Sequence, residues 1–219
     1  MIGNNVLDLI GNTPMVRINK LTGKKDATIL AKLERFNPGG SVKDRMAKYM
    51  VERLEKQGKL KKDKIILEAT SGNTGISLAM ISAVKGYKAT LVMSEDVTYE
   101  RRAQIEALGA EIILTPKEKG EAGAIEFAEK LFQENPEKYF MLDQFNSPLN
   151  PLAHYETTAE EIIQQTTGEL DMFIASIGTA GTLMGVGRRL KEIDHNIKIV
   201  AVEPLLEQVI PGLRNMKEP

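Results

Sequence analysis

Lys43 is the first residue whose surroundings suggest chemistry. On a helix opening at Ser41, at about 100° per residue, Val42, Met46, Tyr49, Met50 and Leu54 fall within one arc of about 140°. Ser41 reads as the N-cap, with Asp44 three residues later as a near relative of the capping box. Asp44, Arg45, Lys48, Glu52, Glu55 and Lys56 lie outside the arc. Two charged residues lie inside it: Arg53 near the far end, where a long stem reaches water, and Lys43 in the first turn. A lysine directed at an apolar interior loses hydration and its pKa falls. An unprotonated amine is what Schiff-base chemistry needs. The spacing leaves open that Lys43 snorkels to water as Arg53 does.

Two strand–turn–helix junctions have the composition of an anion site. Ile65–Glu68 leads through Ala69 into Thr70-Ser71-Gly72-Asn73-Thr74-Gly75 and an apolar helix. Met172–Ala175 leads through Ser176 and Ile177 into Gly178-Thr179-Ala180-Gly181-Thr182 and a second helix. Small residues let amides and hydroxyls converge at a helix N-terminus, which suits a carboxylate or a phosphate. Either turn could also be merely tight. The dinucleotide fingerprint competes for the second, because Glu203 follows Gly178, Gly181 and Gly185 at about the ribose-binding offset. The run Gly178-Thr179-Ala180-Gly181 is not G-x-G, however, and no Walker lysine pattern occurs. His154 and His195 share no ligand spacing and read as surface or loop histidines, so no metal site is expected.

The elements that must position these residues alternate. Strands are predicted at Met15–Ile18, Thr28–Lys32, Ile65–Glu68, Ala89–Met93, Glu111–Leu114, Met172–Ala175 and Ile197–Val202. Helices are predicted at Ser41–Lys56, Thr74–Val84, Tyr99–Leu108, Gly123–Glu134, Thr157–Gln165 and Thr182–Ile193. The first two strands flank a turn and form a hairpin; the βα alternation after them predicts an α/β fold with parallel sheets flanked by helices. Asp143–His154, rich in Asn, Ser and Pro, reads either as a crossing between two lobes or as an ordinary surface loop. The tail beyond Glu203 either docks elsewhere or belongs to an incomplete fold.

Composition excludes several classes. The 219 residues include 42% hydrophobic and 27% charged, enough apolar side chain for a core. Net charge is −1, which provides no field for nucleic acid or an anionic membrane. There is no cysteine, hence no disulfide, thiolate metal site or Cys nucleophile. Neither a signal peptide nor a membrane span is visible, and a cytoplasmic location is expected.

Asn37-Pro38-Gly39-Gly40-Ser41-Val42-Lys43-Asp44-Arg45, the Thr70–Gly75 run and the Gly178–Thr182 run together resemble the cysteine synthase (O-acetylserine sulfhydrylase) family, pyridoxal-phosphate enzymes of fold type II. Ile10-Gly11-Asn12-Thr13-Pro14 and Asp143-Gln144-Phe145 extend the resemblance over essentially the whole chain. Tyr99-Glu100-Arg101-Arg102, His154-Tyr155 and Ala180 resemble the B-type branch, whose members take thiosulfate, O-phosphoserine or a sulfur-carrier protein.

The resemblance implies pyridoxal 5'-phosphate as cofactor and a transferase making L-cysteine by β-replacement from an activated serine, O-acetylserine or O-phosphoserine, and sulfide or thiosulfate. It implies that Lys43 bonds the cofactor aldehyde and then moves the α-proton. Asn73 would meet the ring hydroxyl, and Gly178, Thr179, Ala180, Gly181 and Thr182 the phosphate. Thr70, Ser71, Gly72, Thr74 and Gln144 would hold the substrate carboxylate. Arg214, in Gly212-Leu213-Arg214-Asn215-Met216, would lie near the leaving group. The alternative to this last role is a surface arginine in the tail.

The implied architecture is two-lobed, with 1–40 plus 148–219 in a larger lobe and 41–147 in a smaller one. A homodimer is implied, as are a sulfur-carrier or serine acetyltransferase partner and no nucleic acid or membrane. Family chains run on past the equivalent of Pro219, so the larger lobe is expected to be incomplete, with an unpaired edge and bare apolar faces. The serine loop at the pyridine nitrogen would then have no counterpart here. A cystathionine β-synthase, a threonine dehydratase and a non-catalytic remnant are the alternatives of the same fold.

Overall fold

The computed structural model describes residues 2–23, 25–70, 72–206, 208 and 210–217. Ser71 lies outside the described residues. Strands β1 (Met15–Arg17) and β2 (Leu30–Lys32) form the predicted antiparallel hairpin, with Met15 opposite Lys32. Strands β3 (Ile65–Ala69), β4 (Lys88–Ser94), β5 (Glu111–Thr115) and β6 (Tyr139–Met141) form a parallel sheet in the order β5-β4-β3-β6. Strands β7 (Met172–Ser176) and β8 (Lys198–Val202) pair in parallel. The helices are α1 (Lys43–Lys56), α2 (Asn73–Lys85), α3 (Tyr99–Ala107), α4 (Gly120–Glu134), α5 (Leu149–Ala153), α6 (Ala159–Thr166) and α7 (Gly181–Ile193). The chain therefore has the α/β architecture that its alternating pattern predicts.

The period-two pleat sorts the four-stranded sheet's side chains onto two faces. Leu67, Ala69 and Val92 meet Ala124 and Ala128 of α4. Ile66, Leu91 and Met93 meet the core built by Met46 and Met50 of α1, Leu78 and Ile81 of α2, and Ile105 of α3. Both faces are covered, so β3 and β4 read as near-continuous apolar runs. Glu68 shares the face of Ile66 and is 3% exposed, an acid inside such a run.

Strand order reverses at β3: the chain moves outward to β4 and β5, then returns to add β6 on the other side. In open parallel sheets, the crevice beyond the strands' carboxyl ends at such a reversal is where ligands bind. The Thr70–Gly75 turn follows β3, and Asp143-Gln144 follows β6, so both reach that crevice.

The structure departs from the sequence reading at four points. Asp143–His154 is not wholly loop: α5 begins at Leu149, and a π-turn over His154–Thr158 joins it to α6. Pro148 and Pro151 misled the sequence reading, but proline is tolerated in a first helical turn, where the N–H has no intrahelical partner. Strand β6, three residues long, is too short for an alternation signal. In α1, Asp44 and Arg45 lie off the apolar arc yet are buried, at 0% and 3% exposed, because their charges are met inside. The cap differs accordingly. Ser41 Oγ accepts from the Lys43 amide at 3.2 Å, whereas the Asp44 carboxylate accepts from the Gly39 amide at 2.6 Å and from Ser77 Oγ at 2.5 Å. Asp44 thus fastens the turn before Lys43 to α2.

Candidate active site

Lys43 opens α1 half-buried. Among the described residues its ammonium has no hydrogen-bond or ion-pair partner. Burial lowers its pKa below that of a free lysine, because the charged form loses hydration with nothing in exchange.

The start of α1 is held by Arg45. Its guanidinium reaches Glu34 Oε2 at 2.6 Å and Oε1 at 2.9 Å, Glu161 Oε1 at 2.5 Å and Oε2 at 2.7 Å, and Thr13 Oγ1 at 3.0 Å. Glu161 also accepts from the Asn12 amide at 2.8 Å, where the backbone is left-handed (φ 48°), and from Lys32 at 2.8 Å. The Ile10–Pro14 and Asn37–Arg45 motifs are thus two sides of one ionic joint among the N-terminal segment, α1 and α6.

His154 is corrected from a surface residue to a buried one, 2% exposed. Its Nδ1 lies 2.9 Å from Thr158 Oγ1 and its Nε2 lies 3.3 Å from Thr182 Oγ1. Burial first, then the positive charges of Lys43 and Arg45, hold its pKa down to about 3, so the imidazole is neutral. The segment that carries His154 packs against both α1, which Lys43 opens, and α7, which Thr182 helps to open.

The Gly178–Thr182 turn is built for close approach. A Cβ on Gly178 would strike the carbonyl oxygen of Gly212, and one on Gly181 would strike the Asn150 amide. Ala180, the α7 N-cap, is left-handed (φ 61°), a region that disfavours a side chain. The first-turn amides of α7 have no partner within the helix. The tail docks here: the Arg214 amide donates to the Ile177 carbonyl at 2.8 Å.

The other turn forms a second cluster. The Thr74 hydroxyl donates to Gln144 Oε1 at 2.7 Å, and both residues are buried. Thr70 Oγ1 accepts from the Gly72 amide at 3.3 Å. Asn73, the first residue of α2, is exposed. Asn150 connects the clusters, donating through Nδ2 to the Gln144 carbonyl at 2.8 Å and to Thr179 Oγ1 at 2.9 Å. Arg214 lies over the Phe145 ring at 4.2 Å and reaches Glu121 at 3.3 Å, on the rim of a cavity of about 200 Å³.

Sequence reasoning missed Glu34, Glu68, Asn150 and Glu161. Only Glu68 carried a local signal, as a carboxylate in the run Ile-Ile-Leu-Glu-Ala. These residues fit a phosphorylated aldehyde: an unpartnered amine of lowered pKa, and a helix N-terminus where two glycines sit in places no side chain could occupy. Among the described residues no acidic or histidine cluster could hold a metal, and no helix is long and apolar enough to cross a membrane.

Residues 6–218 match the family described as pyridoxal-phosphate dependent enzyme, and the chain belongs to that family. It is 51% identical over 208 residues to a cysteine synthase of Flavobacterium sp., covering 95% of this chain and 67% of that one. It is 49% identical over 209 residues to cysteine synthase B of Pseudomonas aeruginosa, covering 95% and 69%. The solved structure of a hydrogen sulfide-producing enzyme from Fusobacterium nucleatum superposes with a TM-score of 0.87 at 48% identity, covering 93% of this chain and 66% of that one. The chain spans about two thirds of the length of these relatives.

Proposed function

We propose that the chain carries the cofactor and substrate loops of a pyridoxal-phosphate-dependent β-replacement enzyme that makes L-cysteine from an activated serine and a sulfur donor. The observation that carries this reading is the packing of α1, headed by the unpartnered Lys43, and of α7, headed by the Gly178–Thr182 turn, against one shared segment, α5 and the turn at His154. When bound, the cofactor supplies the electron sink.

The remaining work falls to the chain. Lys43 Nζ, with its lowered pKa, would hold the cofactor by its aldehyde, with loss of water, and as the free amine, once the substrate has taken that place, would accept the substrate α-proton. The amides of the turn from Gly178 to Thr182 hold the phosphate at the positive end of α7. Thr70, Gly72 and Thr74 with Gln144 would orient the substrate carboxylate, and Asn73, exposed at the α2 terminus, would be free to meet the ring hydroxyl. The lobe of residues 41–147 closes on that of 1–40 and 148–219 to exclude water. A homodimer, a cytoplasmic location compatible with a cysteine-free chain, and a sulfur-carrier or serine acetyltransferase partner complete the proposal.

Product analysis tests the reaction. The chain loaded with pyridoxal phosphate is expected to form cysteine from O-acetylserine or O-phosphoserine with sulfide. Cystathionine from serine and homocysteine, with no cysteine from either activated serine, would overturn the reading.

We further propose that Arg214 selects the leaving group. Its guanidinium is 43% exposed, lies over the Phe145 ring, pairs with the exposed Glu121 carboxylate, and follows the docked segment beside Gly178. Such exposed pairs are weak and exchange readily, whereas a guanidinium grips a phosphate through charge-assisted bonds. Arg214→Ala is expected to lower turnover on O-phosphoserine by about 10- to 100-fold, the scale of one hydrogen bond to a charged group. Turnover on O-acetylserine should change far less. Equal losses on both substrates, or none, sink this role.

A further inference from the structure

Glu68 has no role in the chemistry above, yet it is a buried carboxylate beside the crevice, 3% exposed. It ends the apolar run of β3 and faces Met46 and Met50 of α1, Thr74 and Leu78 of α2, and Leu142. Water does not solvate its oxygens; backbone amides do. The Asp143 N–H donates to Oε2 at 3.0 Å and the Gln144 N–H to Oε1 at 3.2 Å. Asp143 is left-handed, with φ 53°, a conformation that Asp adopts more readily than most residues because its short side chain bonds locally. The Asp143 carboxylate accepts from the Asn146 amide at 3.3 Å and the Ser147 amide donates to the Asp143 carbonyl at 2.9 Å, which hold the far side of the turn; the Glu68 carboxylate holds its near side, the two amides that lead to Gln144.

We propose that Glu68 is the positioning residue of the carboxylate clamp, holding the left-handed turn at Asp143 so that Gln144 is presented to Thr74 across the crevice. The inference rests on the reading of Thr70–Thr74 and Gln144 as the substrate-carboxylate site. The carboxylate meets each of the two consecutive amides with a separate oxygen, whereas a neutral amide of the same shape has one oxygen and turns an NH2 towards the other N–H. In its ionised form it offers two acceptor oxygens; protonation converts one of them to a donor. Burial raises its pKa to about 7, and the neighbouring Asp143 charge adds to the rise. The other charged groups lining the crevice on this side are Glu129 of α4 and Arg214 of the tail, while α1 and α2 present no titratable side chain here. Acidification through neutrality therefore weakens the clamp.

Glu68→Gln keeps the shape and one acceptor but sets an NH2 against the second amide. In the chain without cofactor, hydrogen exchange at the Asp143 and Gln144 amides is expected to quicken by about tenfold or more, as one of two hydrogen bonds is lost. In the chain loaded with pyridoxal phosphate, KM for the activated serine should rise by about tenfold on the same grounds, with kcat and cofactor affinity within a few-fold of wild type. The wild-type rise in KM on lowering the pH from 8 to 6 should be flattened in the variant. Thr74→Val, which breaks the clamp from the opposite side, should reproduce the KM effect if Glu68→Gln fails to fold. Unchanged amide exchange overturns the proposal, as does faster exchange with unchanged KM and pH profile, or a matching loss of cofactor affinity. A wild-type chain that makes no cysteine defeats the functional reading instead and leaves the exchange result standing.

Discussion

Lys43→Ala is expected to abolish cysteine formation, with a loss of at least about 10³-fold, on the scale of a removed proton-transferring group. The residue would also lose its covalent hold on the cofactor, so the visible absorption of the loaded chain should shift or vanish. The fold should survive, because Lys43 is half-buried and contributes no ion pair or side-chain hydrogen bond among the described residues. Removing a desolvated, unpartnered ammonium costs little stability. Lys43→Arg separates charge from reactivity: guanidinium stays protonated, so it should be as inactive as alanine. Activity within tenfold of wild type in either variant would contradict the assignment. The phosphate turn is independent of this side chain, so weak noncovalent cofactor binding should persist in both.

The largest stability effect is expected from Arg45→Met. The guanidinium is 2% exposed and is the shared partner of Glu34 and Glu161. Deleting it leaves Glu34 partly buried without its cation and Glu161 with Lys32 alone, at a cost of about 3–5 kcal/mol. For a chain of this size that corresponds to a fall in melting temperature on the order of 10 °C.

The pH dependence gives a second readout. Hydrogen bonds and charge from Arg45, aided by Lys32, outweigh the opposing effect of burial and hold Glu161 down to about 2, and Glu34 is lowered by the same guanidinium. Carboxylates with depressed folded pKa values stabilise the fold above their ordinary value of 4.5. That stability is lost as pH falls from about 4.5 towards about 2. Wild-type stability should therefore decline through this window, and the Arg45→Met variant should lose much of that decline together with its absolute stability. Adding Glu34→Gln to Arg45→Met should recover part of the loss, because it removes the charge left without its cation. A destabilisation below about 1 kcal/mol would show the joint to be an ordinary surface pair.

What the sequence made legible was local. Lys43 stood out because one charged residue broke a helical arc, and the two glycine turns stood out because they follow apolar strands and open helices. The hairpin and the βα alternation followed from period and turn chemistry. The hidden features depended on contacts between residues far apart in the chain. Asp44 and Arg45 read as solvent-facing because their partners, Ser77, Glu34 and Glu161, are brought in only by the fold. Asn150 read as loop because it sits between two prolines, and its bridge from Gln144 to Thr179 needs both turns in place. His154 read as exposed for the same reason, since its burial comes from packing against α7. Backbone strain at Asn12, Asp143 and Ala180 left no compositional mark, yet each lies in a motif that the family resemblance used.

The central claim, that one amine at the head of α1 meets a phosphorylated aldehyde seated on the start of α7, is open to direct chemical test. The chain loaded with pyridoxal phosphate is reduced with borohydride, digested and mapped by mass spectrometry. The account predicts a single phosphopyridoxyl label on Lys43, which is lost when free phosphate at high concentration competes for the Gly178–Thr182 turn. A label on other lysines with Lys43 unmodified would contradict it.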